Sequence, residues 1–209
     1  MSNSQSIDQN DTSKETRAIS ILDFLAESEI DNEPGSLEVL RLGVEPVFVS
    51  FFTSNVVDEP THFLDGTETW TRGYYRCLGD SCPACQAGLE RKRYLLLPVV
   101  DRVDGRVKVI RIPVMKGPGK LLTEVGKIFT APDCEKLIVQ ITRNRDFTHN
   151  VSIQNSAEID PEVAAAAQRF TTGVEDDSID IGSVTTLVSV EDMAGHEKIA
   201  RLLELQGKA

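Results

Sequence analysis

The chain has 209 residues, of which 40% are hydrophobic and 26% are charged, and this suits one compact domain with flexible or helical appendages. No apolar run reaches the roughly 20 residues that a membrane-spanning helix requires, and the polar start lacks the basic and apolar regions of a secretory signal. We therefore expect a soluble, intracellular protein with no membrane partner. The net charge of −11, taken alone, argues against a nucleic-acid ligand, because phosphates attract Lys and Arg.

The charge is unevenly distributed along the chain. Residues 70–150 carry 15 Lys and Arg against 8 Asp and Glu, whereas residues 1–69 carry 3 against 14 and residues 151–209 carry 4 against 11. Because distribution sets the local field, a basic centre between acidic flanks can still attract an anionic partner. The flanks themselves could simply aid solubility.

Two features are predicted in the N-terminal part of the chain. Residues 13–27 repeat Ile and Leu at helical spacing, so a short amphipathic helix is predicted within an acidic N-terminal arm, residues 1–40. Pro34 and Gly35 break that pattern. The β-branched and aromatic residues at 47–53 then predict the first strand of the core.

The middle of the chain is predicted to form a loop followed by a β-hairpin. Residues 55–90 combine turn residues with cysteines, which indicates a loop held by a metal ion. Two β-favouring runs follow at 94–103 and 106–112, and Asp104-Gly105 between them suits a two-residue hairpin turn that places Asp101 opposite Lys108. A short helix is predicted at 120–128, and further strands at 137–142 and 150–154.

These elements predict a mainly β fold. We expect an OB-type five-stranded Greek-key barrel over residues 41–156, with a zinc-bound loop subdomain at about 55–90 and short N- and C-terminal helices. A β-sandwich is the competing fold, and the helix after the central hairpin favours the barrel. Residues 157–209 are predicted to form an acidic C-terminal arm with helices at 161–170 and 192–205. The apolar side of the last helix either packs on the core or binds in the groove of a partner protein.

The cysteines are the most informative feature. Three of the four lie between Cys77 and Cys85, where the reducing cytosol favours metal binding over disulfides. The two residues that separate Cys82 from Cys85 allow one turn of chain to wrap a tetrahedral zinc ion, and Cys77 adds a third thiolate.

The sequence offers four candidates for the fourth ligand. His62 is favoured because it is the only histidine between the first predicted strand and the cluster, whereas Cys134, His149 and His196 must be brought back by the fold. A redox dithiol belongs at the start of a helix in a βαβ pattern, and a zinc deaminase needs a His-x-Glu motif; this region has neither. We therefore expect one structural zinc ion.

A resemblance to a known family becomes visible in this region. The runs TWTRGYYRCLGDSCPACQAG and KRYLLLPVVDRVDGRVKVIRI resemble the zinc-containing single-stranded-DNA-binding proteins of tailed bacteriophages. The resemblance covers residues 47–154 and implies an OB fold, a basic cleft for single-stranded DNA and four zinc ligands: His62, Cys77, Cys82 and Cys85. It also implies a cytoplasmic location in a bacterium or a phage-infected host cell.

Binding of single strands without sequence preference needs cations that follow the phosphates and aromatic faces on which bases stack. The basic centre interleaves these residue types, although each residue could instead belong to the core or to a solvated surface. The candidate nucleic-acid-binding residues are Trp70, Arg72, Tyr74, Tyr75, Arg76, Arg91, Lys92, Arg93, Tyr94, Arg102, Arg106, Lys108, Arg111, Lys116 and Lys120.

The predicted function is binding of single-stranded DNA, which the protein protects and presents during DNA replication, recombination or repair. The sequence shows no phosphate-cradling glycine loop, carboxylate metal cluster or nucleophile with a matched base, so we do not expect an enzyme. The alternative is a zinc-stabilised OB module that binds RNA or a protein. The acidic C-terminal arm is expected to lower DNA affinity and to dock replication or recombination proteins.

Overall fold

The computed structural model describes residues 37–67, 70–131, 133–156 and 161–207. The helix predicted at residues 13–27 lies outside these ranges. Within them the chain is mainly β, with eight strands and a few short helices. None of the described helices has both the length and the apolar character that crossing a membrane requires.

The elements have the following bounds. The strands are β1 (Glu38–Val39), β2 (Val47–Ser50), β3 (Val57–Leu64), β4 (Gly73–Arg76), β5 (Lys92–Asp101), β6 (Val107–Pro113), β7 (Leu137–Arg143) and β8 (His149–Ser156). The α-helices are α1 (Pro83–Gln86), α2 (Leu121–Phe129), α3 (Pro161–Glu175), α4 (Val190–Gly195) and α5 (Glu197–Leu205). Short 3₁₀ helices cover Gly79–Ser81, Cys134–Lys136 and Ile181–Val184. Five strands were predicted from the sequence: β2, β5, β6, β7 and β8. The other two strands of this region, β3 and β4, fall within residues 55–90, the segment that was predicted as a metal-bound loop and is named the metal loop.

The strands form one mixed sheet in the order β1-β6-β5-β2-β7-β8, and β3 pairs with both β5 and β4. Neighbouring strands are antiparallel except β1 and β6, where Glu38 pairs with Lys108 and Val39 with Val109. Closing the path from β6 to β8 into a barrel would require those two strands to pair. Among the described residues they do not, because β1 occupies part of the outer edge of β6, so the sheet is open and the predicted barrel is not confirmed.

The β5–β6 hairpin has a different register from the predicted one. Lys108 pairs with Val99, so the predicted opposition of Lys108 and Asp101 is wrong by two residues. The reason is a wider turn, in which the Gly105 N–H donates to the Asp101 carbonyl at 2.9 Å. A shift of two residues keeps side chains on the same face of a sheet. The Lys108 ammonium therefore still donates to the Asp101 carboxylate at 2.8 Å.

The larger core lies between the sheet and α2. This sheet core contains Leu40, Val49, Phe51, Leu97, Val99, Ile110, Ile112, Leu121, Val125, Ile128, Leu137, Val139 and Ile141. Alternate residues of β7 are buried, as expected of a strand with one face on a core. The three residues from α2 recur at helical spacing and form its buried stripe.

A second core joins the cysteine region to the C-terminal helices. This cysteine core contains Leu64, Tyr75, Cys77, Cys82, Ala84, Ala87, Met193, Ile199 and Leu203. The single helix predicted at 192–205 is divided into α4 and α5, because His196 between them has an extended backbone with ψ 123°. The apolar side of these helices packs on the rest of the chain.

Helix α3 also packs on the folded chain. It runs to Glu175, beyond the predicted end at residue 170. The Phe170 ring meets Phe52 edge to face at a centroid distance of 5.7 Å, and Val163 and Ala166 are buried on the same helix. The described part of residues 157–209 is thus built into the fold at both α3 and α4–α5.

Candidate metal centre and surface groove

Four side chains that the sequence predicts as ligands come together. His62 lies on β3, Cys77 directly follows β4, Cys82 precedes α1 and Cys85 lies within α1. Their four ligand atoms all lie within 4.8 Å of one another. The Sγ atoms of Cys77 and Cys85 are 3.6 Å apart, and the Cys85 Sγ is 3.3 Å from the His62 Nε2. Two sulfurs bound at tetrahedral angles to one zinc ion would be about 3.8 Å apart, so this cluster could hold a metal ion.

The local structure explains how four ligands converge from three segments. β3 and β4 pair with His62 opposite Tyr75, which sets Cys77 beside His62 after a short extension of β4. The Cys77 N–H donates to the Pro60 carbonyl at 2.8 Å and fixes that extension. Pro83, at the first position of α1, suits a helix start and brings Cys82 and Cys85 onto one turn.

The imidazole of His62 is oriented for metal binding. The side chain is fully buried, and its Nδ1 lies 3.1 Å from the carbonyl of Glu90. An N–H on Nδ1 donates to that carbonyl, which leaves the lone pair of Nε2 directed at the cysteine sulfurs. Metal-bound histidines commonly carry such a partner on the other ring nitrogen.

The electrostatics of the cluster also fit a cation. Burial lowers the pKa of His62, which keeps the imidazole neutral. Burial together with the neighbouring sulfurs raises the pKa of Cys85 to about 12. Burial acts in the same direction on Cys82, but hydrogen bonds to the surrounding backbone lower the pKa of that thiol. A divalent ion would favour the thiolate form of all three cysteines.

The other candidates for the fourth ligand lie elsewhere. Cys134 begins a 3₁₀ helix beside the sheet core, and His149 begins β8. His196 packs its ring against Trp70 at a centroid distance of 5.0 Å, and its Nε2 lies 3.1 Å from the Asp65 carbonyl.

A groove of about 670 Å³ opens on another face of the sheet. It is lined by residues from β1 and the segment that follows it, from β4, β5 and β6, from the loop between β6 and α2, from α2, and from the β7–β8 hairpin: Val39, Leu40, Arg41, Leu42, Tyr74, Tyr94, Arg111, Pro113, Met115, Lys120, Leu121, Arg143, Phe147 and His149. Its size is within the range of roughly 300–1,000 Å³ that ligand sites typically have. Four of the nucleic-acid-binding residues predicted from the sequence lie here: Tyr74, Tyr94, Arg111 and Lys120.

The sheet side of the groove carries aromatic rings in fixed positions. Tyr74 meets Tyr94 edge to face at 5.3 Å and Phe63 at 5.2 Å. Burial and the neighbouring Tyr74 hydroxyl raise the pKa of Tyr94, so its phenol stays protonated. Arg111 is held by hydrogen bonds from its guanidinium to the Val184 carbonyl and, at 3.0 Å, to the Thr185 hydroxyl. Burial lowers the pKa of Arg111.

The cations of the groove have no carboxylate bound to them in the described ranges. Within the part of the chain that the structure describes, Arg41, Arg111, Lys120 and Arg143 form no ion pair with a carboxylate. No described carboxylate therefore contacts these cations directly, although Glu59 and Asp146 act on Arg111 and Lys120 from a longer distance.

Several predicted nucleic-acid-binding residues have intramolecular partners outside the groove. Arg76 donates to the buried Glu59 carboxylate at 2.7 Å, Arg93 pairs with Asp58, and Lys92 lies 3.9 Å from Glu90. Lys108 is buried between Asp101 and Asp104, each at 2.8 Å.

The remaining predicted residues are divided between a core and the surface. Successive residues of a strand face opposite sides of the sheet, so Tyr75 points into the cysteine core while Tyr74 points into the groove. Trp70 packs on Tyr75 at 5.2 Å and lies with it at the cysteine core. Arg72, Arg91, Arg106 and Lys116 are exposed and Arg102 is partly exposed, all outside the groove.

Besides apolar residues, the groove contains four cationic or ring-bearing residues that were not among the predicted ones: Arg41, Arg143, Phe147 and His149. Arg41 follows a two-residue strand that the sequence did not indicate. The run from Arg143 to His149 joins two predicted strands and combines cations with an aromatic ring, so a search of hairpin loops for that combination would have found it.

Comparisons with protein-family models, with curated proteins and with solved structures found no match to this chain.

Proposed function

We propose that the protein binds single-stranded DNA in the groove and acts by binding, without catalysis. The observation that carries this proposal is that aromatic rings and cations without an ion pair in the described chain line one groove: Tyr74, Tyr94 and Phe147 with Arg41, Arg111, Lys120 and Arg143. Bases stack on aromatic faces and phosphates follow cations, so this combination suits a flexible polyanion with exposed bases. A duplex hides the faces of its bases and gains less from such a groove.

The strand connections support an OB-type fold. β7, β2, β5 and β6 lie side by side in that order, which is the fourth-first-second-third arrangement of a Greek key. β8 adds as a fifth strand beside β7, and α2 lies between β6 and β7 in the chain. OB folds are partly open five-stranded Greek-key barrels that bind oligonucleotides on one face. We propose that this sheet is an open member of that class.

The metal we propose is one structural zinc ion. Three thiolates and one imidazole are the donors that zinc prefers, and four protein ligands leave no open position for a substrate. The burial of His62 and Cys82 supports the same role, because a buried closed site contributes its binding energy to folding.

A protein that holds single strands without reading their sequence protects and presents them. We therefore propose a role in DNA replication, recombination or repair, in the cytoplasm of a bacterium or a phage-infected cell. The resemblance of residues 47–154 to the phage single-stranded-DNA-binding family points to the same role.

The test is a fluorescence anisotropy titration of labelled poly-dT, duplex DNA and RNA of equal length at several salt concentrations. We expect single-stranded DNA to bind most tightly and its affinity to fall with salt. Arg41→Gln and Lys120→Gln should each weaken binding and lower the slope of log K against log salt by about 0.7 per lost phosphate contact. Lys127→Gln and Lys136→Gln are matched controls, since both lysines are exposed and outside the groove.

Three results would contradict the proposal. Equal affinity for duplex and single strand would exclude recognition of unpaired bases, and binding that is indifferent to salt would exclude phosphate contacts. Tighter binding of RNA than of DNA would favour the alternative, a zinc-stabilised module for RNA.

A further inference from the structure

The tip of the β7–β8 hairpin holds an aromatic side chain in solvent. Phe147 is 66% exposed, and its backbone φ is +64°. Bulky residues rarely adopt this left-handed conformation, because it costs free energy. Exposure of an apolar ring to water adds a second free-energy cost. Burial of the ring compensates neither cost, so the conformation of Phe147 points to a binding role.

Hydrogen bonds within the turn hold Phe147 in this position. The Asn144 N–H donates to the Thr148 carbonyl at 2.8 Å, and the Phe147 N–H donates to the Asn144 carbonyl at 3.1 Å. One carboxylate oxygen of Asp146 accepts from both the N–H and the hydroxyl of Thr148, at 3.1 and 2.7 Å. The exposed ring is therefore presented by an ordered turn.

The loop between β6 and α2 contacts the turn and supports it. The His149 N–H donates to the Gly119 carbonyl at 2.7 Å. A Cβ atom at Gly119 would lie 3.0 Å from the Thr148 Cβ, so only glycine allows the loop to approach this closely. Lys120, next in the chain, lines the groove beside the hairpin.

The Phe147 ring has a cation against it and the groove beside it. The guanidinium carbon of Arg143 lies 4.6 Å from the ring centroid, a cation–π contact. Arg143 forms no ion pair among the described residues, so its charge remains available to a phosphate. Phe147 lines the groove from the hairpin side, and Tyr74 and Tyr94 line it from the sheet side.

We propose that Phe147 and Arg143 form a nucleobase clamp at the hairpin side of the groove, in which the ring stacks one unpaired base and the guanidinium contacts its phosphate. The clamp rests on the proposed function and adds a stacking position opposite the two tyrosines. A chain with exposed bases and a phosphate backbone satisfies the ring and the cation together.

The test measures the binding of two ligands to the wild-type protein and to the variant Phe147→Asn, both full length and loaded with zinc. The ligands are labelled oligo-dT and an abasic deoxyribose-phosphate oligomer of equal length, which keeps the charge but has no bases. Phe147→Asn removes the ring while allowing the left-handed backbone. We expect its affinity for oligo-dT to fall about tenfold, its affinity for the abasic oligomer to be unchanged and its melting temperature to be equal or higher.

Two further variants control this experiment. Val103→Asn removes an exposed apolar side chain from the other hairpin, and we expect no change with either ligand. Phe147→Leu keeps an apolar side chain without an aromatic face, and we expect it to lose affinity for oligo-dT as Phe147→Asn does.

The outcomes separate the clamp from the proposed function. If the wild-type protein does not bind oligo-dT, both proposals are wrong. If it binds but Phe147→Asn or Phe147→Leu keeps wild-type affinity, the clamp is wrong and the groove stands. An equal loss on the abasic oligomer would also overturn the clamp, because it would show that the substitution acts on charge or folding.

Discussion

The two cores of this protein differ in size and in side-chain composition. The sheet core consists of aliphatic and aromatic side chains, most of them less than 3% exposed, and burial of their apolar area is enough to account for its cohesion. The cysteine core is smaller: beside five large apolar residues from β3–β4 and α4–α5, it contains two alanines and two buried cysteines. Small side chains gain little from burial. A metal ion held by His62 and the three cysteines would add a cross-link to this smaller core.

The comparison also explains why the C-terminal helices are placed where they are. Met193 of α4 packs its sulfur 3.6 Å from the Cys82 Sγ, and Ile199 and Leu203 of α5 complete the same cluster. Cys82 and Met193, which are 111 positions apart in the sequence, thus meet at the candidate metal centre. Loss of the metal should release α4 and α5 while leaving the sheet core folded.

Metal removal has the largest expected effect. Binding of a structural zinc ion contributes about 10 kcal/mol or more to the folding of small zinc domains, so chelation or Cys82→Ser should unfold the cysteine core. Trp70, the only tryptophan, packs at that core, so its fluorescence should shift at a lower temperature than the circular dichroism of the sheet. Cys134→Ser is the control, because Cys134 lies outside the cluster. A metal-free protein that melts like the metal-loaded form would refute the structural role.

Lys108→Ala should produce the next largest effect, and it acts on the sheet. Lys108 is 9% exposed and pairs with Asp101, which is 5% exposed. Removing the ammonium leaves a buried carboxylate without its partner, which typically costs about 3–5 kcal/mol. Urea denaturation should show this loss with and without chelator. Arg106→Ala, an exposed cation of the same hairpin, should change stability by less than about 0.5 kcal/mol. A weakened single-strand affinity in a stable Lys108→Ala protein would instead assign this residue to DNA binding.

The sequence could predict the parts of the structure in which local chemistry and final environment agree. β7 alternates buried and partly buried residues, and the cysteine spacing matches one turn of chain around a metal. β3 was not predictable from hydropathy because Glu59, Thr61 and His62 are polar yet buried. Glu59 is buried against Arg76 and His62 against the cysteines, and both partners come from later segments.

The groove was only partly predictable for a related reason. Tyr74 and Tyr75 are adjacent and equally suited to stacking, and strand pairing alone decides which one faces the groove. Arg76, Arg93 and Lys108 resemble the groove cations in sequence, but each has a carboxylate partner contributed by another strand or turn. Side-chain type indicates what a residue can bind, and tertiary contacts determine whether it is available.

Gly182→Ala tests the packing of the Ile181–Val184 3₁₀ helix against Arg76 of β4 and should have an intermediate effect. A Cβ atom at Gly182 would overlap a terminal nitrogen of Arg76, so the guanidinium must move. Arg76 neutralises Glu59, which is 4% exposed, and displacement would leave that carboxylate poorly paired at a cost of about 2 kcal/mol. Thermal melts should show the loss. Gly195→Ala, where an added Cβ meets nothing within 4 Å, is the matched control. Equal stability of both variants would show that Arg76 moves without penalty.

The smallest expected effect concerns the acidic segment, residues 175–180, which begins at the last residue of α3. Truncating the chain before residue 158 would remove Met193 and Ile199 along with the acidic charge, so charge must be tested by substitution. Glu175→Gln with Asp177→Asn neutralises two exposed carboxylates, and Asn tolerates the φ of +60° at residue 177. Because attraction and repulsion are screened beyond a Debye length of about 8 Å, we expect single-strand affinity to rise by less than about twofold at physiological salt, and by more at low salt.

The matched control for that prediction is Asp80→Asn, which removes one exposed carboxylate from the metal loop. Oligonucleotide titration at two salt concentrations measures both variants, and melting curves confirm that folding is unchanged. Repulsion between the acidic segment and the phosphates requires the gain in affinity to shrink as salt rises. Weaker binding in the doubly substituted protein would contradict that repulsion and would show that the acidic segment supports the groove.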